Sequence, residues 1–425
     1  MSVLNPELRR NFWLEFSATR LIVMPLVMGL LFSLGWLWDE WAGVAGVAQA
    51  AGWAVLVLWG TRLAADGIVS EVQGKTWDGQ RLSGTGPGAM VVGKLFGATA
   101  YAWTGGLMCI AAVAVAGGLA GDAWAPLRLL VTGLFAQAVA LWFALVQLRL
   151  QSVVRRFQVL LAQVVGIIAS IQLAPAYDFV KATVSWYGID FTAYGFAFFF
   201  TALMTFWAWV GCWRLMRADF RYRNWPLAFL AFLVFIIVFT GGVAAGSFPR
   251  LGWVFEGAVT YHLVVLATWV AAMLEPKSIV LLRRLIERFR RGDVAGFLAD
   301  LPCAVAGLPL VVLVGIIGAV QGPPGWGVGL QFLSVFLFLL RDMALVYYVV
   351  LGANGRRGHA AALIYLLVLY GLVPAILQAS GAFTLIGAFL PMGGVTPVVG
   401  VGGPLVMAVL FGVLLFTRLS SSRKG

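Results

Sequence analysis

The chain has 425 residues, 62% of them hydrophobic and 11% charged, with a net charge of +12 and a mean hydropathy of +0.95. A soluble domain carries about 25% charged residues, so this composition excludes a soluble enzyme, a disordered chain and a disulfide-rich secreted module. Long uninterrupted apolar runs also exclude a barrel, which needs short alternating segments. The expectation is an all-α polytopic integral membrane protein.

Leu4, Leu8, Phe12 and Phe16 recur every four residues, with Glu7, Arg9, Arg10 and Glu15 between them. This predicts an amphipathic helix over 1–19 lying in the plane of the membrane. Two arginines before a long apolar run with no small-residue cleavage site do not read as a cleavable signal peptide. A membrane helix needs about 20 apolar residues. Twelve segments are expected: 20–38, 43–60, 93–119, 125–147, 155–174, 192–214, 225–243, 257–274, 302–320, 328–350, 360–378 and 397–417. The division between the fourth and fifth rests on Arg149, Arg155 and Arg156, and the run Leu385–Pro391 is too short to cross, so it is expected as an external helix or re-entrant piece.

With twelve spans both termini lie on one side. Placing them in the cytoplasm puts 26 of the 29 basic residues inside and leaves Arg128, Lys181 and Arg250 outside. The basic charge is then topological and does not point to nucleic acid. The expected organisation is a first six-helix half over 20–218 with a cytoplasmic loop at 61–94, and a second over 219–425 with a loop at 275–301.

Chemistry-bearing motifs are sparse. Cys109, Cys212 and Cys303 lie in or beside apolar runs and read as small buried hydrophobes. His262 and His359 are the only histidines, so no metal signature forms. Gly93-Lys94 is followed by Leu95, so the phosphate-loop pattern fails at its hydroxyl. Asp39, Glu40, Asp122, Asp178 and Asp190 sit at outer ends of spans, with Glu256 and His262 in the outer part of the eighth. Arg341 and Asp342 fall in the tenth span. Neighbours on a helix point about 100° apart, so these two need not pair; they read as a structural anchor or a gate. The tryptophans gather near span ends as an aromatic belt. Gly393, Gly394, Gly400, Gly402 and Gly403 with Pro397 and Pro404 make the entrance to the last span irregular, as a packed external loop or a gate. The spans are otherwise rich in small residues suited to helix packing.

The loop after the second span is the most specific stretch. Glu71 is followed by Gly74, Thr76, Trp77, Leu82, Pro87 and the pair Gly93-Lys94. A short helix is predicted from Thr76 to about Leu82, capped by Thr76, with Trp77 and Leu82 as its apolar side. In this order of residues, and in the amphipathic helix before the first span, the chain resembles the permease subunits of ABC-2-type ABC transporters over roughly residues 5–110. Lys75, between Gly74 and Thr76, departs from that pattern. The resemblance implies that this loop couples the permease to a separate ATP-binding subunit, in two copies, which would hold the ATP-Mg. This chain would be an exporter subunit in a bacterial-type inner membrane, with no cofactor or catalytic residue of its own.

The second half offers a matching position. Ile279, Leu282, Leu285, Ile286 and Phe289 alternate with basic residues, and Asp293 to Pro302 makes a second short piece carrying Phe297. Leu285, Phe289, Asp293 and Phe297 form a second candidate docking loop; a basic helix lying on anionic headgroups is the competing reading. Span seven also begins after Arg221-Tyr222-Arg223-Asn224-Trp225, much as span one follows Arg9-Arg10-Asn11-Phe12-Trp13. Two other function classes remain: an ion-coupled carrier, disfavoured by scarce intramembrane carboxylates, and a membrane enzyme on lipid-linked substrates, for which no acid, histidine or metal cluster is found. No residue pattern identifies the transported substrate.

Overall fold

The computed structural model describes residues 5–120, 124–150, 156–171, 183–247, 254–321, 326–352, 358–391 and 396–421. Leu4, Asp122, Arg155, Asp178, Lys181, Arg250, Gly393 and Gly394 lie outside the described residues. Within the described residues, each of the twelve expected segments falls largely in helix. Among the described residues, eight helical stretches are long and apolar enough to cross a membrane, or nine if the bent pair Pro87–Gly97 and Ala100–Ala116 counts as one span. The chain is an all-α, multi-pass membrane protein. It divides into two compact units, Met1–Val184 with Asp190–Arg223, and Ser185–Ile189 with Asn224–Gly425.

The first unit opens with α1 (Pro6–Glu15), whose N-terminus is capped by Asn5. Helix α2 (Ala18–Trp53) is broken by non-helical backbone at Asp39 and Glu40, the latter with φ 40°. The chain folds back there: a Cβ on Gly35 would lie 2.7 Å from the Gly43 carbonyl oxygen, a contact a straight helix cannot make across eight residues. Only glycine permits this approach. A π-helical turn, Ala54–Trp59, leads into α3 (Gly60–Gln73). Shifting to i→i+5 bonding strands carbonyls, and three successive ones find side-chain donors: Gln137 Nε2 to Leu56 O (2.9 Å), Thr61 Oγ1 to Val57 O (2.5 Å) and Gln163 Nε2 to Leu58 O (2.8 Å).

Residues 61–73, expected in a loop, are thus a continuation of the second helix. Ala64, Ala65, Ile68 and Val69 are buried in the unit's core, while Arg62, Asp66 and Ser70 form an exposed stripe. The loop proper shrinks to the short α4 (Trp77–Arg81) and its flanks, before α5 (Pro87–Val92), a second π turn (Gly93–Gly97) and α6 (Ala100–Ala120). Then come α7 (Ala125–Leu150), α8 (Phe157–Ile171) and α9 (Ala193–Asp219). Helix α7 is the centre of the unit, packing on α3, α6, α8 and α9. Its Gln137, fully buried, also accepts a hydrogen bond from Trp103 Nε1 at 2.9 Å.

A hairpin of two strands, Val184–Trp186 and Ile189–Phe191, precedes α9. In the second unit, Trp186 Nε1 donates to Phe239 O (3.1 Å) and the Tyr187 hydroxyl to Val238 O (3.0 Å). The unit contains α10 (Leu227–Ser247), a π turn (Val254–Val259) leading to α11 (Thr260–Leu274), α12 (Ile279–Arg290), α13 (Val294–Asp300), α14 (Cys303–Gln321) and α15 (Trp326–Val350). Helix α16 (Gly358–Leu367) passes through a π turn (Val368–Leu372) into α17 (Val373–Ala379), followed by a 3-10 turn at Phe383–Ala388, α18 (Pro397–Gly400) and α19 (Gly402–Ser421). The expected external piece at 385–391 is therefore mostly this short turn. Helix α15 is the centre here, packing on α11, α14, α16 and α19.

Candidate functional site

The first unit gathers a cluster of charged groups at the arginine-rich end of its helices. Lys94 is fully buried (0% exposed), and Glu7 and Glu71 beside it are buried. The Lys94 ammonium donates to both carboxylates, reaching Glu7 Oε1 at 2.7 Å and also Glu71 Oε2. Arg10 closes the outer side, with Nη1 2.8 Å from Glu71 Oε1 and 3.3 Å from Glu7 Oε2. Asn11 Nδ2 donates to Glu7 Oε1 (3.0 Å) and to the Gly93 carbonyl (3.1 Å), and Gln80 Nε2 donates to Glu71 Oε1 (2.6 Å). Two cations face two carboxylates, so the cluster is neutral, which is what makes a buried ammonium tolerable. Burial pulls the Glu7 pKa upward, but Lys94, Arg10 and Asn11 outweigh it and hold the carboxyl below its ordinary value.

Local sequence explains the assembly. Glu7 and Asn11, one turn apart, are the buried residues of α1. The helix therefore turns a polar stripe inward and leaves Trp13 83% exposed. Of the four charged residues lying between the Leu and Phe positions, Glu7 is thus turned inward. Gly93 is required because a Cβ there would overlap the Glu7 side chain; one on Gly97 would lie 2.7 Å from Asn11 Cβ. Asn5 Nδ2 adds a hydrogen bond to Ala89 O at 2.5 Å.

Helix α4 is fixed to the same cluster through Gln80, and to the end of α9 through Trp77 Nε1 on Asp219 Oδ2 (2.9 Å) and Arg81 Nη2 on Asp219 O (2.8 Å). Two details differ from expectation. Thr76 does not cap α4; its hydroxyl turns back to Glu71 O at 3.2 Å, because its backbone is helical and not extended. Trp77 and Leu82 do not share a side: Trp77 is buried in the core, while Leu82 is 87% exposed. Gly74 ends α3 with its N–H on Ser70 O, and Pro87 begins α5. So Glu71, Thr76, Trp77, Gly93 and Lys94 meet around one cluster, and Leu82 stands outside it. Glu7, Arg10, Asn11, Gln80 and Asp219 are the members that sequence reasoning missed.

The second unit has a different polar centre. Arg341 and Asp342 are fully buried and, though their spacing left this open, pair directly: Arg341 Nε and Nη2 lie 2.9 and 2.8 Å from Asp342 Oδ1. The long guanidinium stem reaches across the 100° that separates the two positions. Asp342 Oδ2 also accepts from Trp269 Nε1 (2.9 Å) and the Tyr370 hydroxyl (2.8 Å), and the guanidinium lies over the Phe338 and Tyr370 rings. Toward the arginine-rich end, the Glu275 carboxylate accepts from the Cys303 and Ala304 amides (2.6 and 3.3 Å), capping α14. Lys277 Nζ donates to Ala272 O (2.5 Å) and Glu275 O (2.9 Å), and its burial pushes the pKa down to about 8.

Of the second candidate docking set, Asp293 caps α13 through Gly296 N (2.9 Å), Phe289 packs against Phe297 at 5.6 Å between ring centres, and Leu285 is half-buried. Among the described residues no group of three or more His, Cys, Asp or Glu could hold a metal ion. No protein family, curated protein or solved structure matches this chain.

Proposed function

We propose that the chain is the permease subunit of an ABC-2-type exporter in a bacterial-type inner membrane, driven by a separate ATP-binding subunit that grips α4. The observation that carries this reading is the Glu71–Lys94–Glu7 cluster. It ties α4 to the end of the second helix, the start of the third and the in-plane α1, so a push on α4 moves membrane helices instead of being absorbed by a loop. Leu82, exposed beside α4, is the contact offered to the partner. In the second unit, α13 with Phe297 is the corresponding docking piece.

The twelve helices cross as two six-helix repeats with both termini in the cytoplasm. Three correspondences support the repeat. The fourth helix is the packing centre of each unit. A carboxylate at the end of each second helix holds the start of the third, Glu71 on Lys94 and Glu275 on the Cys303 amide. An indole reaches the central helix in each, Trp103 to Gln137 and Trp269 to Asp342.

The test is purification of the tagged chain from gently solubilised native membrane. Recovery of a stoichiometric Walker-motif subunit, reduced by Leu82→Ser without loss of the chain from the membrane, supports the permease. Recovery of the chain alone, with its ATP-dependent transport unchanged by Glu71→Ala, removes it. A second reading, an ion-coupled carrier, draws on the Arg341–Asp342 pair, since charges inside a span commonly mark ion pathways; transport that follows a proton or sodium gradient without ATP would favour it.

A further inference from the structure

We infer that α12 is a lipid-docking helix, seated on anionic headgroups of the cytoplasmic leaflet and not on a protein. Placing its residues at 100° intervals puts Ile279, Leu281, Leu282, Leu285, Ile286 and Phe289 on one half of the helix. Arg283, Glu287, Arg284, Arg288, Arg290 and Arg291 share the other half with Val280. No residue of α12 is buried, and Phe289 is 71% exposed. Its packing is against α13, fixed by Arg288, which reaches Asp300 Oδ2 at 3.2 Å and Gly296 O at 2.6 Å.

Three observations choose the lipid. First, the charge is complementary: four arginines in the helix and Arg291 at its C-cap against one glutamate, with Glu287 paired to Arg291 at 2.7 Å. Arg290 flanks one edge of the apolar half and Arg284 the other, where basic side chains can lie their stems along acyl chains and keep the guanidinium among phosphates. Second, the helix is tethered close to the membrane surface. Four residues separate it from the end of α11, a reach of about 14 Å at most, and two of them are tied down: Glu275 to the start of α14 and Lys277 to the end of α11. Third, the side on which it lies is the side that the basic residues mark as cytoplasmic, where anionic lipid attracts such segments. The inference rests on the multi-pass topology and not on the permease reading, so either can fail without the other.

The experiment uses the full chain with Cys303→Ser and a single environment-sensitive label, at Ile286→Cys on the apolar half or at Val280→Cys on the basic half. The chain is reconstituted in nanodiscs of phosphatidylcholine, with or without phosphatidylglycerol, containing acyl-brominated lipid as quencher. Quenching at position 286 and not at 280, strengthened by phosphatidylglycerol, is the expected result. Arg284→Gln with Arg290→Gln then lowers the docked-to-free ratio by about fivefold per charge removed. Neither substitution touches a buried position, so the fold is retained. Equal quenching at both positions, or none at 286 in either lipid, overturns the inference. So does shielding of 286 that requires an added ATP-binding subunit, which would make the helix a protein-docking surface instead.

Discussion

The two units hold buried charge in opposite ways. In the first, four charged groups from three separate segments converge at the arginine-rich end of the helices, and Arg10 keeps the cluster in touch with solvent. In the second, the pair is adjacent in sequence, sits inside the central helix and is closed off by Trp269, Tyr370 and Phe338. The first arrangement joins parts that could otherwise move apart. The second braces a helix from within and ties it to α11 and to the π turn after α16. A coupling element needs the former, and a stable core that other helices lean on needs the latter.

The comparison breaks most severely at Asp342. Asp342→Asn leaves the Arg341 guanidinium uncompensated and removes the charged acceptor for Trp269 and Tyr370. Removing one partner of a buried pair costs about 3–5 kcal/mol, and among the described residues no second anion pairs with Arg341 to take over. A large drop in thermal stability in detergent is expected, with substantial recovery in Arg341→Leu with Asp342→Leu, where neither charge remains.

Lys94→Met is next, toward the lower end of that range at about 3 kcal/mol, since Arg10 remains beside Glu7 and Glu71. Replacing the set together, Lys94→Met with Glu7→Gln and Glu71→Gln, should restore most of the stability but not the transport, if the cluster serves coupling. The pH dependence sharpens the point. Glu7 has a depressed pKa, so its contribution is present above the ordinary carboxylate value and is lost as pH falls through the lowered one. Thermal melts below about pH 5 should fall more steeply in the wild type than in Glu7→Gln.

What was legible in the sequence follows from where the information lies. The helical segments were visible because apolar length is a local property. The extension of the second helix to Gln73 was hidden by Arg62 and Asp66, which read as loop residues; their spacing of four, against buried Ala64, Ala65, Ile68 and Val69, is the helical signal. The reversal at Asp39–Glu40 was legible as the charged break between the expected segments 20–38 and 43–60; the close approach of Gly35 to Gly43 that it brings about was not. In the cluster, Glu71, Gly93 and Lys94 stood out as an ordered set within one loop. Glu7 and Asn11 did not, because their partners lie more than 60 residues away, and a polar pair on a short amphipathic helix looks like its wet face. That adjacent Arg341 and Asp342 pair depends on side-chain length, which spacing alone does not reveal.

A smaller effect is expected at Gln137, the neutral counterpart of Asp342. Gln137→Leu strands the Trp103 N–H and the Leu56 carbonyl, buried groups whose loss of partners costs about 1–3 kcal/mol. Since no charge is left behind, the loss should stay below that of Asp342→Asn. An equal loss in the two variants would mean that both centres act by packing and that the contrast between the units is not electrostatic.

The smallest effect is a slope. Burial depresses the Lys277 pKa from 10.5 to about 8, so between those values the unfolded chain binds the proton and the folded one does not. Stability then rises with pH across that window, the reverse of what a lysine held by a carboxylate would give. The Lys277 ammonium meets backbone carbonyls and the Tyr347 ring, while the Glu275 carboxylate is occupied with the amides that begin α14. The difference in melting temperature between the wild type and Lys277→Met should therefore change steadily from pH 8 to pH 10.5 in favour of the wild type. A flat difference would mean that Glu275 compensates the lysine after all, and that the second unit carries at this end a charge pair of the same kind as Glu71 and Lys94.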